Sequence, residues 1–176
     1  MVTSNLIGGL GNYLFQIATA YSLASENKDT IMYDPKKSVI VHNHISTYMD
    51  NILSKVPFGD VKIDSEYEEP YFHYSPIPYK ENLKINGYYQ SEEYFKHNRD
   101  KILDLFSFNP GHLDLVEEKY GEILKTKTCA IHVRRGNYLT LPNHHPVCSF
   151  EYYQQAISLM PKDCVFLVFS DDLAFC

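Results

Sequence analysis

The chain is predicted to be an α/β protein with parallel sheets, one complete domain followed by the beginning of a second. Three observations predict this. Apolar strand-like segments alternate with amphipathic segments of helical period, the pattern of βαβ units. The runs 129–133 and 164–169 are almost wholly apolar, as expected of central parallel strands covered on both faces. The residues best suited to chemistry stand directly after these runs, at the carboxyl ends where open α/β sheets bind ligands.

Residues 2–7 read as the first strand and 12–26 as a helix, with Leu14, Ile17, Ala18, Tyr21 and Leu23 on its apolar face. A short second strand covers 30–33. Ile45, Tyr48, Met49, Ile52, Leu53 and Val56 recur at helical spacing until Pro57 ends the run. Residues 61–63 and 83–85 are short strand candidates. Tyrosines crowd the segment 66–90, where Pro70, Pro76 and Pro78 argue against regular structure, so a long surface loop is expected there. Its aromatics suit either stacking on a sugar ring or, by default, packing on one another. Ser91 can cap the next helix, with Glu92 and Glu93 in its first turn and Phe95, Ile102 and Phe106 facing inward, and Asn109, Pro110 and Gly111 break it. Leu113, Val116, Tyr120, Ile123 and Leu124 form another amphipathic helix before the strand at 129–133. Pro146 and Ser149 introduce a helix over 150–160, Pro161 ends it, and the last strand is 164–169.

A chain of 176 residues can bury one sizeable core. Because it stops soon after Phe169, where a doubly wound domain continues with another helix and strand, the second domain is expected to be incomplete. The boundary is placed between 127 and 128. A net charge of −6, from 16 basic and 22 acidic residues, leaves no broad positive field, which argues against nucleic-acid binding and means that any anion must be held locally. No segment approaches the ~20 apolar residues of a membrane span, and the N-terminus lacks the basic and apolar regions of a signal peptide. Cys129, Cys148, Cys164 and Cys176 are unevenly spaced and read as reduced packing residues. The expected setting is cytoplasmic, peripheral to a membrane at most; the oligomeric state is not legible.

Three constellations carry chemistry. The run His132-Val133-Arg134-Arg135-Gly136-Asn137-Tyr138 sets two guanidinium groups side by side after a strand, where they suit phosphate oxygens or are simply a solvated pair. Gly8-Gly9-Leu10-Gly11-Asn12 lies between strand and helix, where glycines let a ligand approach the backbone or merely make a tight turn. A dinucleotide fingerprint starting at Gly9 and Gly11 requires a third glycine where Leu14 stands, and there is no Gly-Lys-Ser/Thr of a phosphate-binding loop. Ser170-Asp171-Asp172 can meet a nucleobase, coordinate Mg²⁺ or cap a helix. If the two strands are neighbours, Arg134, Arg135, Asp171 and Asp172 line one crevice, which favours a nucleotide-diphosphate site. His132 alternates with Ile131 and Val133, so it either contacts the ligand or is a satisfied core histidine. His42-Asn43-His44 and His144-His145 lack a second cluster at metal-site spacing, and no metal site is expected.

Together these segments resemble the α-1,2-fucosyltransferases of glycosyltransferase family 11. Residues 8–16 resemble the family's GGLGNQLFQ signature, 131–138 its HVRRGDY motif and 169–172 its FSDD motif, while 87–95 is similar to a GYFQSEKYF segment of bacterial members. The resemblance implies two facing Rossmann-like domains in the B-type glycosyltransferase architecture, here 1–127 on the acceptor side and 128–176 as the start of the GDP-fucose-binding domain. It implies inverting transfer of L-fucose from GDP-fucose to the 2-hydroxyl of a galactose-containing glycan, with no metal or other cofactor. By that analogy Arg134 and Arg135 hold the GDP phosphates, His132 lies against the nucleotide, and Asp171 or Asp172 recognises guanine. Gly9 and Gly11 admit the donor, and Asn12 helps place acceptor or donor. Two positions depart from the family: Asn137 stands for its Asp and Tyr13 for its Gln. Relatives continue for roughly another hundred residues, an ordinary length for completing a domain, so little transferase activity is expected of this chain. The rival reading is a non-catalytic nucleotide- or carbohydrate-binding remnant; a dinucleotide-dependent reductase is disfavoured by Leu14.

Overall fold

A computed structural model describes residues 1–37, 39–40, 44–143 and 145–176. It is a mixed α/β structure with parallel sheets, divided into two compact units, Met1–His112 and Leu113–Cys176. The first unit is built on β1 (Val2–Ser4), β4 (Ser65–Glu68) and β5 (Leu83–Asn86), all parallel, with β5 in the middle. Val2 pairs with Leu83, which pairs in turn with Ser65. Isolated parallel bridges from Val2 to Ile31 and from Tyr33 to Phe58 widen the sheet.

The expected first strand is interrupted. After β1, Asn5 donates its N–H to the Ile85 carbonyl (3.0 Å), and the chain resumes as β2 (Ile7–Gly8), paired with β3 (Val39–Ile40). Helix α1 (Leu10–Glu26) follows as predicted and buries Tyr13, Gln16, Ile17, Ala20, Leu23 and Ala24. The core it helps form contains Val2, Tyr33, Ile45, Leu53, Leu83, Ile85 and Tyr89, and burial of each such side chain contributes about 1.5–3 kcal/mol.

Several expectations are corrected. The strand at 30–33 is reduced to the two bridges, and 61–63 is not a strand. The apolar spacing over 45–56 does send Ile45, Leu53 and Val56 into the core, but only α2 (Ser46–Met49) is helical. Asn51 ends it: its side-chain oxygen accepts the Ile52 N–H (2.6 Å), competing with the helical ladder. The segment 66–90 holds more structure than a loop, since β4 begins it. Ser-Glu-Tyr-Glu offers little apolar signal because this is an outer strand with alternate residues exposed. The helix expected after Ser91 begins as two 3-10 turns, Glu92–Tyr94 and Lys96–Asn98, before α3 (Arg99–Leu105). Ser91 still caps, accepting the Glu93 N–H. Pro110 opens a helix instead of only breaking one: α4 (Pro110–Leu124) starts where a missing N–H costs nothing, and the Asn109 side chain accepts the Gly111 N–H.

In the second unit β6 (Thr128–Val133) and β7 (Val165–Ser170) are parallel neighbours in register from Thr128–Val165 to Val133–Ser170. Helix α5 (Phe150–Ser158) is capped by Ser149, which accepts the Tyr152 N–H. These strands are not covered on both faces: among the described residues they pair only with each other, and Val168 and Phe169 are exposed. Val116, Tyr120 and Leu124 of α4 form, with Leu167, Val168 and Phe169, an apolar groove of about 360 Å³. Helix α4 thus falls, from Leu113 on, in the second unit together with the strands it lines the groove with. All four cysteines are free; Cys129 and Cys164 are half-buried, whereas Cys148 and Cys176 are exposed.

Candidate functional site

Because β6 and β7 are adjacent and in register, their ends bring Arg134 and Arg135 against Asp171 and Asp172. Arg134 Nη1 donates to Asp171 Oδ2, and its Nη2 donates to Asn137 Oδ1 at 2.6 Å. The Arg135 backbone N–H donates to Asp171 Oδ1 (2.9 Å), and its Nε donates to Asp172 Oδ2 (2.9 Å). Aromatic rings support both guanidiniums. That of Arg135 lies 3.8 Å from the centre of the Phe175 ring, and that of Arg134 lies 5.1 Å from the Tyr138 ring, which stacks on His145. Asp172 is itself fixed by its N–H to Ser170 Oγ and by the Phe175 N–H on its carboxylate.

Gly136 is dictated by this arrangement. A Cβ there would collide with the Asp171 carboxylate, so Arg-Arg-Gly is the strand end that leaves room for the facing acid. The backbone N–H of Arg135, together with the Arg134 charge, holds the Asp171 carboxyl below its usual range against the opposing effect of burial. Two cations and two carboxylates sum to no formal charge. The terminal nitrogens of Arg135 have no protein acceptor among the described residues and remain able to grip an anion in bidentate fashion.

Gly9, Gly11 and Asn12 lie in the first unit. Gly8, at φ +90°, makes the turn before α1, and the Asn12 side chain packs where a Gly8 side chain would be. Gly9 precedes the helix in extended conformation without a side-chain cap, and the space over Gly11 is open. The turn is tied to 87–90, the segment of the fourth motif. Gln16, fully buried, accepts the Ile7 N–H and donates to the carbonyls of Ile7 and Gly87, and Gln90 Nε2 donates to Asn12 Oδ1 at 2.7 Å. Glu69 accepts the backbone N–H groups of Tyr88 and Tyr89. Tyr13, standing where the family has Gln, is fully buried, and burial raises its phenol.

The structure thus assembles four of the expected residues, Arg134, Arg135, Asp171 and Asp172, in one cluster. His132 is exposed and, among the described residues, makes no hydrogen bond to them; it lines a groove with Tyr152 and Tyr153. Sequence reasoning put an arginine-orienting role of position 137 in doubt because Asn lacks the charge of an Asp, yet the Asn137 amide oxygen does accept from Arg134. It also missed Phe175, for which no local pattern exists, and gave no role to Gln16, although that residue closes the 8–16 segment. His44 bonds to Ser46, while His42, Asn43 and His144 lie outside the described residues; among those described, no three His, Cys, Asp or Glu side chains form a metal-binding group. No helix among them is long and apolar enough to cross a membrane.

Comparison with known proteins adds a lineage. The model of glycosyl transferase family 11 matches residues 1–176. An alpha-1,2-colitosyltransferase of Escherichia coli is 23% identical over 209 residues, covering 100% of this chain and 70% of its own length. Galactoside alpha-(1,2)-fucosyltransferase 2 of Oryctolagus cuniculus is 29% identical over 196 residues, covering 100% of this chain and 53% of its own. Among solved structures, NodZ alpha-1,6-fucosyltransferase co-crystallized with GDP is similar in fold, with a TM-score of 0.58 at 13% identity over 98% of this chain and 72% of that one. The chain therefore spans about seven-tenths of the bacterial relative and about half of the mammalian one.

Proposed function

We propose, since the chain belongs to glycosyl transferase family 11, that it serves the transfer of L-fucose from GDP-fucose to the 2-hydroxyl of a galactoside, with inversion and without a metal or other cofactor. The observation that carries this reading is the arginine pair at the end of β6, held in place by Asp171, Asp172 and Asn137. Breaking the anomeric C–O bond leaves positive charge on the sugar and negative charge on the departing diphosphate. Fixed guanidiniums aimed at the latter stabilise the transition state without a cation, and losing one such donor costs ~10²–10³ in rate.

In this reading Arg134 and Arg135 bind the diphosphate and His132 flanks the nucleotide. A carboxylate has about four acceptor sites, so Asp171 and Asp172 can orient the arginines and still meet the guanine edge. Gly9, Gly11 and Asn12 belong to the acceptor-side domain, and the two units are the Rossmann-like halves of a B-type glycosyltransferase. The similarity to an α-1,2-colitosyltransferase and an α-1,2-fucosyltransferase supports the 2-hydroxyl as acceptor and a 6-deoxyhexose as donor sugar. Incubating a full-length family member that carries residues 1–176 of this chain with GDP-fucose and lactose, with and without EDTA, tests the proposal. Fucosyl-lactose formed at the same rate in both supports it. No product, with GDP still bound, favours a binding protein without turnover; loss in EDTA restored by Mg²⁺ would reassign Asp171 and Asp172 as metal ligands.

A further inference from the structure

The segment between β4 and β5 projects aromatic side chains into water. Phe72 is 84% exposed, Tyr71 59% and Tyr74 44%, and the rings of Tyr71 and His73 stack in parallel at 4.9 Å. The tip is nevertheless anchored at both ends. On one side Glu69 holds the backbone of Tyr88 and Tyr89, and Gly87, at φ +153°, passes directly against it. On the other, the Tyr74 ring packs 4.9 Å from Tyr94, whose hydroxyl accepts the Ser75 N–H, and Tyr94 in turn meets Tyr89 edge-on. The aromatics are therefore presented by a fixed frame, and the same frame continues through Gln90 to the amide of Asn12.

We propose that this tip, Tyr71-Phe72-His73, is a stacking platform for a neutral pyranose of the acceptor glycan. The proposal rests on the galactoside reading above and adds the surface that would hold the acceptor. An exposed aromatic ring matches the apolar C–H face of a hexose, and amides such as those of Asn12 and Gln90, at the far end of the same frame, match its hydroxyls. Charge selects this occupant over others. From Asp64 to Tyr79 the sequence has four carboxylates (Asp64, Glu66, Glu68, Glu69) and no Lys or Arg, and Asp64 and Glu66 are paired with Lys62 and Lys84, so the tip carries no positive patch to draw nucleic acid or anionic lipid, while an uncharged sugar needs none.

The test is saturation-transfer NMR on the full chain with lactose and, separately, GDP as probes, comparing wild type with Y71A and F72A. Both side chains are exposed, so neither variant disturbs the core. Lactose is expected to receive saturation from wild type and to bind roughly fivefold more weakly to each variant, while GDP binding is unchanged. Lactose binding that is absent in wild type, or equal in all three proteins, overturns the platform. So does flotation of wild type, but not F72A, with phosphatidylcholine vesicles when lactose binding is unaffected, because the tip would then be a membrane contact. Absence of GDP binding alone refutes the donor assignment and leaves this result standing.

Discussion

Arg134 is held by two acceptors at once, Asp171 on Nη1 and Asn137 on Nη2, whereas Arg135 is anchored through Nε and keeps its outer fork open. The two should respond differently to loss of planar donors. Arg135→Lys removes the free bidentate face, and calorimetry should show GDP affinity falling by roughly tenfold or more, as expected for charge-assisted bonds worth about 1.5–3 kcal/mol. Arg134→Lys should cost less affinity, because much of its fork is already spent on protein partners. Asn137 matters through the charge it lacks: Asn137→Asp takes the cluster from formally neutral to −1 and should weaken GDP binding by roughly fivefold. Equal affinity in that variant would show that Asn137 only orients Arg134. Asp171 gives a pH signature. Its folded carboxyl is held low, by the Arg135 N–H first, so its stabilising contribution is complete above the unfolded value of about 3.9 and disappears as pH falls through the lower folded value. Unfolding curves of wild type and Asp171→Asn should therefore differ at neutral pH and converge only in strong acid.

At the scale of elements, the strand ends owe their geometry to residues that look unremarkable. Gln16 sits inside α1 with no exposure and joins β2 to the 87–90 turn through three bonds. Gln16→Leu keeps the volume but abandons buried backbone groups, and denaturant unfolding should register a loss of about 2–5 kcal/mol. Gly136→Ala places a methyl on the Asp171 carboxylate and should separate the two ion pairs. GDP binding should be lost there without a change in the far-UV spectrum of α1 and the first unit. A Gly136→Ala protein that binds GDP normally would mean that the cluster tolerates displacement of Asp171.

Across the whole molecule, burial is concentrated in Met1–His112. In Leu113–Cys176 only Gly121 and Val133 are buried among the described residues, and apolar side chains such as Val168 and Phe169 face water. Amide hydrogens of β6 and β7 should therefore exchange faster than those of β1, β5 and α1, a difference read directly by native-state exchange. An exposed strand pair of this composition also favours association, and light scattering across protein concentration should show it unless the apolar groove beside α4 is filled. Uniformly slow exchange in a monomer would contradict both expectations.

Strands β6 and β7, helices α1, α4 and α5, and the caps Ser91 and Ser149 were legible in the sequence because each depends on near neighbours: an apolar run, a 3.6 period, a hydroxyl before a helical turn. The arginine pair and the Ser-Asp-Asp end were legible as types for the same reason. Their pairing was not, since Arg134 meets Asp171 only because two strands separated by a helix lie in parallel register. Ser65–Glu68 became a strand through hydrogen bonds to β5, with almost no apolar pattern of its own, and Gln16 found Gly87 across 71 positions. The aromatic tip was open to two readings, and the structure holds both kinds of ring: Tyr74 packs on Tyr94 yet stays partly in water, while Tyr71 and Phe72 are mostly exposed. Local composition determined which segments are strands and helices and which residues end them. Contacts between distant segments, which no local period encodes, decided which of those ends face one another.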